Sequence, residues 1–176
     1  KGNNCKDLTV YMVSDILANI GSASSVNGWV PSDGQTGYVW TPIDGFAGKF
    51  DGQKHTLKGL YMKGVSGITG IGFFTNLAGA TIQDITIGNT SITADTSAGT
   101  GTIAGTGYGT FKNIHTNVKY MDSDMGSIGG LVGIVTGNST FNNCWNQSHI
   151  TTTQTYVGGM FGTIDATGHT IKVEHC

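Results

Sequence analysis

The acidic side chains are the first place to look for chemistry, because hydrolysis of a glycosidic bond needs two carboxyl groups about 5 to 10 Å apart. Of the 11 acidic residues, Asp122 and Asp124 stand closest in sequence. On a strand they would share one face, but Met121-Asp-Ser-Asp-Met-Gly126 reads as a corner loop. A calcium-dependent lyase would want a lysine held over an acidic cluster, and no lysine keeps such a register. The five histidines (His55, His115, His149, His169, His175) include no pair at helical metal-ligand spacing. No Gly-x-Ser-x-Gly nucleophile elbow is present. The expectation is a chain without catalytic residues, metal ligands or a cofactor.

Residues able to bind rather than react are better placed. Tyr61, Thr86, His115 and Trp145 follow one another at intervals of 25, 29 and 30 residues. If the chain coils with that period, and if Ile85 and Ile87 point inward, Thr86 points out. The four then form one column on an outer face. Exposed aromatic side chains in line can stack on sugar rings or anchor a protein partner. Packing beneath a loop is the plain structural alternative. Trp29, on a Ser/Gly/Asn-rich excursion over 21–39, joins the candidate set, while Trp40 reads as structural.

Recurrence is what must position this column. Gly129-Gly-Leu-Val-Gly133 returns as Gly158-Gly-Met-Phe-Gly162, with degraded copies at Gly101-Thr-Ile-Ala-Gly105 and Ile71-Gly-Phe-Phe-Thr75. The starts at 71, 101, 129 and 158 differ by 30, 28 and 29. A fixed period of this size marks a solenoid. A second beat follows each copy: Ile82-Gln-Asp-Ile85, Phe111-Lys-Asn-Ile114, Phe141-Asn-Asn-Cys144 and Val173-Glu-His-Cys176. Weaker third strands surround Ile92, Val118 and Ile150. Fillers of Val, Ile, Thr, Phe and Tyr suit strands, and Gly, Asn, Asp and Ser suit turns. The expected fold is all-β, a right-handed parallel β-helix of about five coils. First-beat centres would be Phe50, Phe73, Ile103, Leu131 and Met160; second-beat centres Leu57, Ile82, Phe111, Phe141 and Val173. Residues 1–45 form an N-terminal strand and long loop leading in, and 46–176 one continuous run of repeats. Asp84, Asn113 and Asn143 stack at a turn, where side-chain amides bond along the axis. The two glycines of Gly-Gly-Leu-Val allow close backbone approach and positive φ. Cys144 and Cys176 fall one strand spacing apart and read as small buried hydrophobes, with a disulfide permitted by distance.

Composition agrees. The 176 residues hold 29 Gly and 2 Pro, only 11% charged residues and a net charge of −2. Every basic residue is lysine, and no basic run exists, which argues against nucleic-acid binding. No apolar stretch is long enough for a membrane helix, so no membrane insertion is expected. Thr151-Thr-Thr-Gln-Thr155 hints at an ice-binding face, but an outward Thr-x-Thr is not kept in each coil.

Ile128-Gly-Gly-Leu-Val-Gly133 with Thr140-Phe-Asn-Asn-Cys144, and Val157-Gly-Gly-Met-Phe-Gly162, resemble the GLUG repeat of bacterial surface proteins, including the immunoglobulin A protease group. Phe46-Ala-Gly-Lys-Phe-Asp-Gly-Gln-Lys-His-Thr-Leu-Lys-Gly-Leu-Tyr61 is similar to the block preceding such repeats. The resemblance implies a right-handed β-helix on a secreted or surface-attached protein, and no catalytic residues. Lys1 is not a natural initiator and Cys176 falls in the middle of a beat, so a fragment of a longer protein with flanking domains is expected. Its function would be adhesion or binding of a glycan or host-surface protein. The alternatives are a structural spacer and a carbohydrate-targeting module of a polysaccharide-degrading enzyme.

Overall fold

A computed structural model describes residues 4–24, 28–31, 37–64, 68–94, 99–124, 126–165 and 167–176. The described residues contain strands and turns and no helix. Strands pair in parallel with their equivalents one period away, giving the expected β-solenoid. One face climbs through the rungs Ile43, Phe74, Ala104, Val132 and Phe161. A second climbs through Val10, Phe50, Ile82, Phe111, Phe141 and Val173. A third runs Leu57, Ile87, Thr116, Asn146. A Gly-rich face stacks Ile71, Thr100, Ile128 and Val157. Leu131 donates its amide to Met160 O at 3.0 Å, so the repeated motif lies directly over itself.

The core is the narrow column enclosed by these faces. Phe74, Phe111, Phe141, Leu60, Met62 and Ile92 are among its fully buried side chains. Like stacks on like: Phe111 and Phe141 lie 4.4 Å apart and nearly parallel, and Phe46 stacks on Phe74 at 5.0 Å. Offset ring stacking of this kind adds about 0.5–1.5 kcal/mol per pair to simple burial. Trp40 is structural, as expected: it stacks on Phe73 at 4.9 Å and its indole donates to Phe73 O at 3.1 Å.

Three details differ from the sequence reading. Phe50 pairs with Ile82 and Leu57 with Ile87, so the first coil is shifted and Phe50 belongs to the second beat. The glycines flanking Phe50 mimic the motif because they too lie against a neighbouring coil. A side chain on Gly52 would lie 2.6 Å from Ile85 Cβ, and one on Gly48 would strike Leu8 O at 2.6 Å. Met121, not Val118, shares the column of Ile92 and Ile150; Val118 pairs with Thr90, because the register shifts at Asn117–Tyr120. The excursion over 21–39 contains an antiparallel hairpin, Gly21–Ser24 with Gly28–Pro31; the Asp33-Gly34 turn lies outside the described residues. The β-rich stretch from Leu8 to Leu17, read as one strand, is two short ones, Thr9–Tyr11 and Ile16–Leu17, that pair on successive faces.

Candidate functional site

One corner is built from residues in left-handed conformation. Lys54, Asp84, Asn113, Asn143 and His175 have φ of 66°, 54°, 51°, 52° and 54°. Asn and Asp tolerate this region best among residues with a side chain, which is why they recur at this beat. Asn113 Nδ2 donates to Asp84 Oδ1 at 2.7 Å, and Asn143 Nδ2 donates to Asn113 Oδ1 at 2.8 Å. Gln83 Nε2 donates to the other Asp84 oxygen at 2.7 Å and to Asp51 Oδ2 at 3.0 Å. The expected amide ladder is therefore present, anchored at one end on a carboxylate.

Past the corner the chain alternates. Ile85, Ile114 and Cys144 turn inward and are buried. The next residues, Thr86, His115 and Trp145, stand in register on the outside. His115 and Trp145 stack with ring centroids 4.2 Å apart at 28°, and Trp145 is 55% exposed. Between ladder and rings lies an open groove of about 450 Å³. Lys54, Asp84, Asn113 and Asn143 form one wall, Thr86, His115 and Trp145 the other, and Ile85 lies between. One rung is about 4.8 Å, so the groove from Lys54 to Trp145 runs roughly 14 Å along the axis. It offers an aromatic platform beside a line of planar hydrogen-bonding groups, with one cation and one carboxylate.

Two of the candidate residues belong elsewhere. Tyr61 pairs with Ser91, and Thr56 takes the place expected for it beneath Thr86. The error follows from the first-coil shift: Tyr61 to Thr86 is 25 residues, whereas the true step from Thr56 is 30. Trp29 is buried in the hairpin, its ring so close to Gly37 that a Cβ there would lie 2.6 Å from it. It presents no exposed ring. Lys54 is a lining residue that the sequence does not mark, since no second lysine repeats at its beat. Asp84, Asn113 and Asn143 are legible as turn residues, but their role as a groove wall is not.

Other reactive groups are accounted for locally. Asp122 lies in the strand Ala104–Ser123, not a loop, and accepts a hydrogen bond from Tyr120 at 2.9 Å. Burial, together with that carboxylate, pushes the Tyr120 phenol up. Asp15 accepts from the Thr56 amide at 2.8 Å and pairs with His55 at 3.2 Å, which together hold its carboxyl below the usual range. Cys5, Cys144 and Cys176 are free thiols, and the Cys144 amide donates to Cys176 Sγ at 3.3 Å. Burial pushes the Cys144 thiol up to about 11. Among the described residues no group of three or more His, Cys, Asp or Glu could hold a metal ion, and no helix is long and apolar enough to cross a membrane.

No family model matches the chain, and no solved structure matches it. Among curated proteins it is similar to Halomucin of Haloquadratum walsbyi, 29% identical over 175 residues, which covers 84% of this chain. The chain spans about 2% of the length of that relative.

Proposed function

We propose that this chain is a non-catalytic extracellular surface module that binds glycan in the groove between the Asp84–Asn113–Asn143 ladder and the His115–Trp145 stack. The observation that carries this reading is the pairing of the stacked His115 and Trp145 rings with a row of side-chain amides one rung apart. Aromatic faces take the apolar side of a sugar ring, and planar amides and carboxylates take its hydroxyls. Lys54 and Asp84 offset each other in charge, so a neutral glycan is favoured. The β-solenoid and the likeness to Halomucin are compatible with a secreted or cell-surface setting. The GLUG-like repeat supports the same setting. The rival reading is a spacer whose aromatic stack only packs against a neighbouring module.

A glycan array separates the two. The intact chain should bind, and Trp145→Ala should weaken binding about 30-fold, the effect of losing a contact worth roughly 2 kcal/mol, with melting unchanged. Binding of a neutral glycan should shift little between low and high salt. An intact chain silent across the array points to the spacer. Binding that survives Trp145→Ala removes the groove from the interaction.

A further inference from the structure

A second groove, of about 400 Å³, opens ahead of the ladder corner and shares no residue with the first. Its feature is Tyr108, which is 38% exposed. The glycines of the adjacent coils make room for its ring. A Cβ on Gly137 would sit 2.8 Å from Tyr108 Cγ, and one on Gly79 would sit 3.5 Å from Cε2. The ring therefore lies along the axis, its Cγ end against one coil and its hydroxyl end over the next, with no side chain from Gly79 or Gly137 to cover it. Beside it runs the register row Thr110, Thr140, Lys172. Asn138 and Thr170 complete the wall. Asn138 Oδ1 accepts the Thr170 amide at 2.8 Å, which leaves the Asn138 amide nitrogen to donate outward. The Ser139 hydroxyl is already committed, accepting from the Gly109 amide and donating to Gly137 O. No carboxylate lines the groove, and Lys172 is paired with Glu174 at 2.9 Å.

We infer that the Tyr108 groove is a second subsite for neutral glycan, so that the module holds a polysaccharide at two points. The inference rests on the glycan reading of the first groove, since it applies the same chemistry to a second aromatic platform. Tyr108 and Asn113 bracket the strand segment Thr110, Phe111, Lys112. Tyr108 and Asn113 are five residues apart, which sets an upper limit of roughly 17 Å between them. A long chain can bridge that span, and engaging both grooves makes the second contact intramolecular. Avidity then exceeds the affinity of either groove without any new contact.

The test is an amide-resolved NMR titration of the full chain with cello-, xylo- and chito-oligosaccharides, repeated on Trp145→Ala and Tyr108→Ala. Polygalacturonate oligosaccharides serve as the charged comparison. Expected are separate shifts around His115–Trp145 and around Tyr108, Thr110 and Thr140. Each set should be lost only in the variant of its own groove, and either variant should bind the long polymer at least tenfold more weakly. Shifts confined to the Trp145 groove overturn the second subsite and leave the first standing. Shifts confined to Tyr108 overturn the first groove and with it two-point binding, leaving a single site at Tyr108. Equal polymer affinity for Tyr108→Ala and the parent chain, with an unchanged melting point, also overturns it. So does a preference for polygalacturonate at Tyr108, which would assign the groove to acidic ligands. If no oligosaccharide shifts any amide, both readings fall together.

Discussion

Cys144 and Cys176 show how position in the column decides the behaviour of one residue type. Their spacing made them equivalent, and they do sit one rung apart. Yet Cys144 is buried while Cys176, on the outermost rung, is exposed. The thiolate is the reactive form, so a thiol raised to about 11 holds roughly a hundredfold less thiolate at pH 8 than one near 9. Alkylation of the folded chain with iodoacetamide should therefore label Cys176 well before Cys144, as read by peptide mass mapping. In denaturant the two should react alike. Equal rates in the folded state would mean that the last coil opens as fast as the reagent attacks, and that the burial of Cys144 is not maintained in solution. The same logic explains why the binding residues were only half legible. His115, Trp145 and Thr86 follow an in-out alternation that a sequence displays, whereas the exposure of Tyr61 and Trp29 depends on a shifted first coil and a hairpin that it does not.

At the scale of the element, the Gly-Gly-Leu-Val-Gly motif works by removing volume. Neither Gly129 nor Gly130 has positive φ, so the conformational freedom expected of them is not what the corner uses. Space is what it uses. A side chain on Gly129 would lie 2.7 Å from Gly162 N, one on Gly130 would collide with the Asn146 side chain and Gly159 O, and one on Gly162 would lie 2.5 Å from Ile128 N. Here the coil folds back so sharply that Ser127–Gly129 and Val132–Val135 press backbone on backbone. Gly159 occupies the motif position of Gly130 one coil later, yet a Cβ there meets nothing within 4 Å. Gly130→Ala should thus cost about 1–3 kcal/mol, the usual penalty of overpacking, while Gly159→Ala should stay within about 0.5 kcal/mol. Urea unfolding of the two variants decides it. Equal costs would show that the motif is held by backbone conformation after all. The repeat itself was legible because a solenoid writes one period into every face. The corner chemistry was not, because a glycine kept for space and one kept for φ look the same in a sequence.

At the scale of the whole molecule, the first and last rungs of these 176 residues each have a paired neighbour on one side only. Among the described residues, the inward column that includes Phe111 and Phe141 runs from Val10 to Val173. Interior members are almost fully covered, whereas Val10 and Val173 are 40% and 47% exposed. Tyr11, Ile16 and Leu17 widen the apolar rim at one end, and Val157 and Ile164 at the other. Among the described residues, Thr9–Tyr11 pairs with one strand only, as does Ile171–Glu174. An unpaired parallel edge is a template for another strand, and the two edges differ, so contact between copies runs head to tail, and stacking edge on edge along the solenoid axis extends as an open series. The 176-residue chain should therefore sediment as progressively larger species with rising concentration, and Val173→Lys should suppress this by placing a charge at one edge. The variant should keep both grooves, since Val173 lines neither. A chain that stays monomeric at all concentrations would mean that the edges are blunted by twist or by their own side chains, and that apolar exposure at the last rung does not drive association.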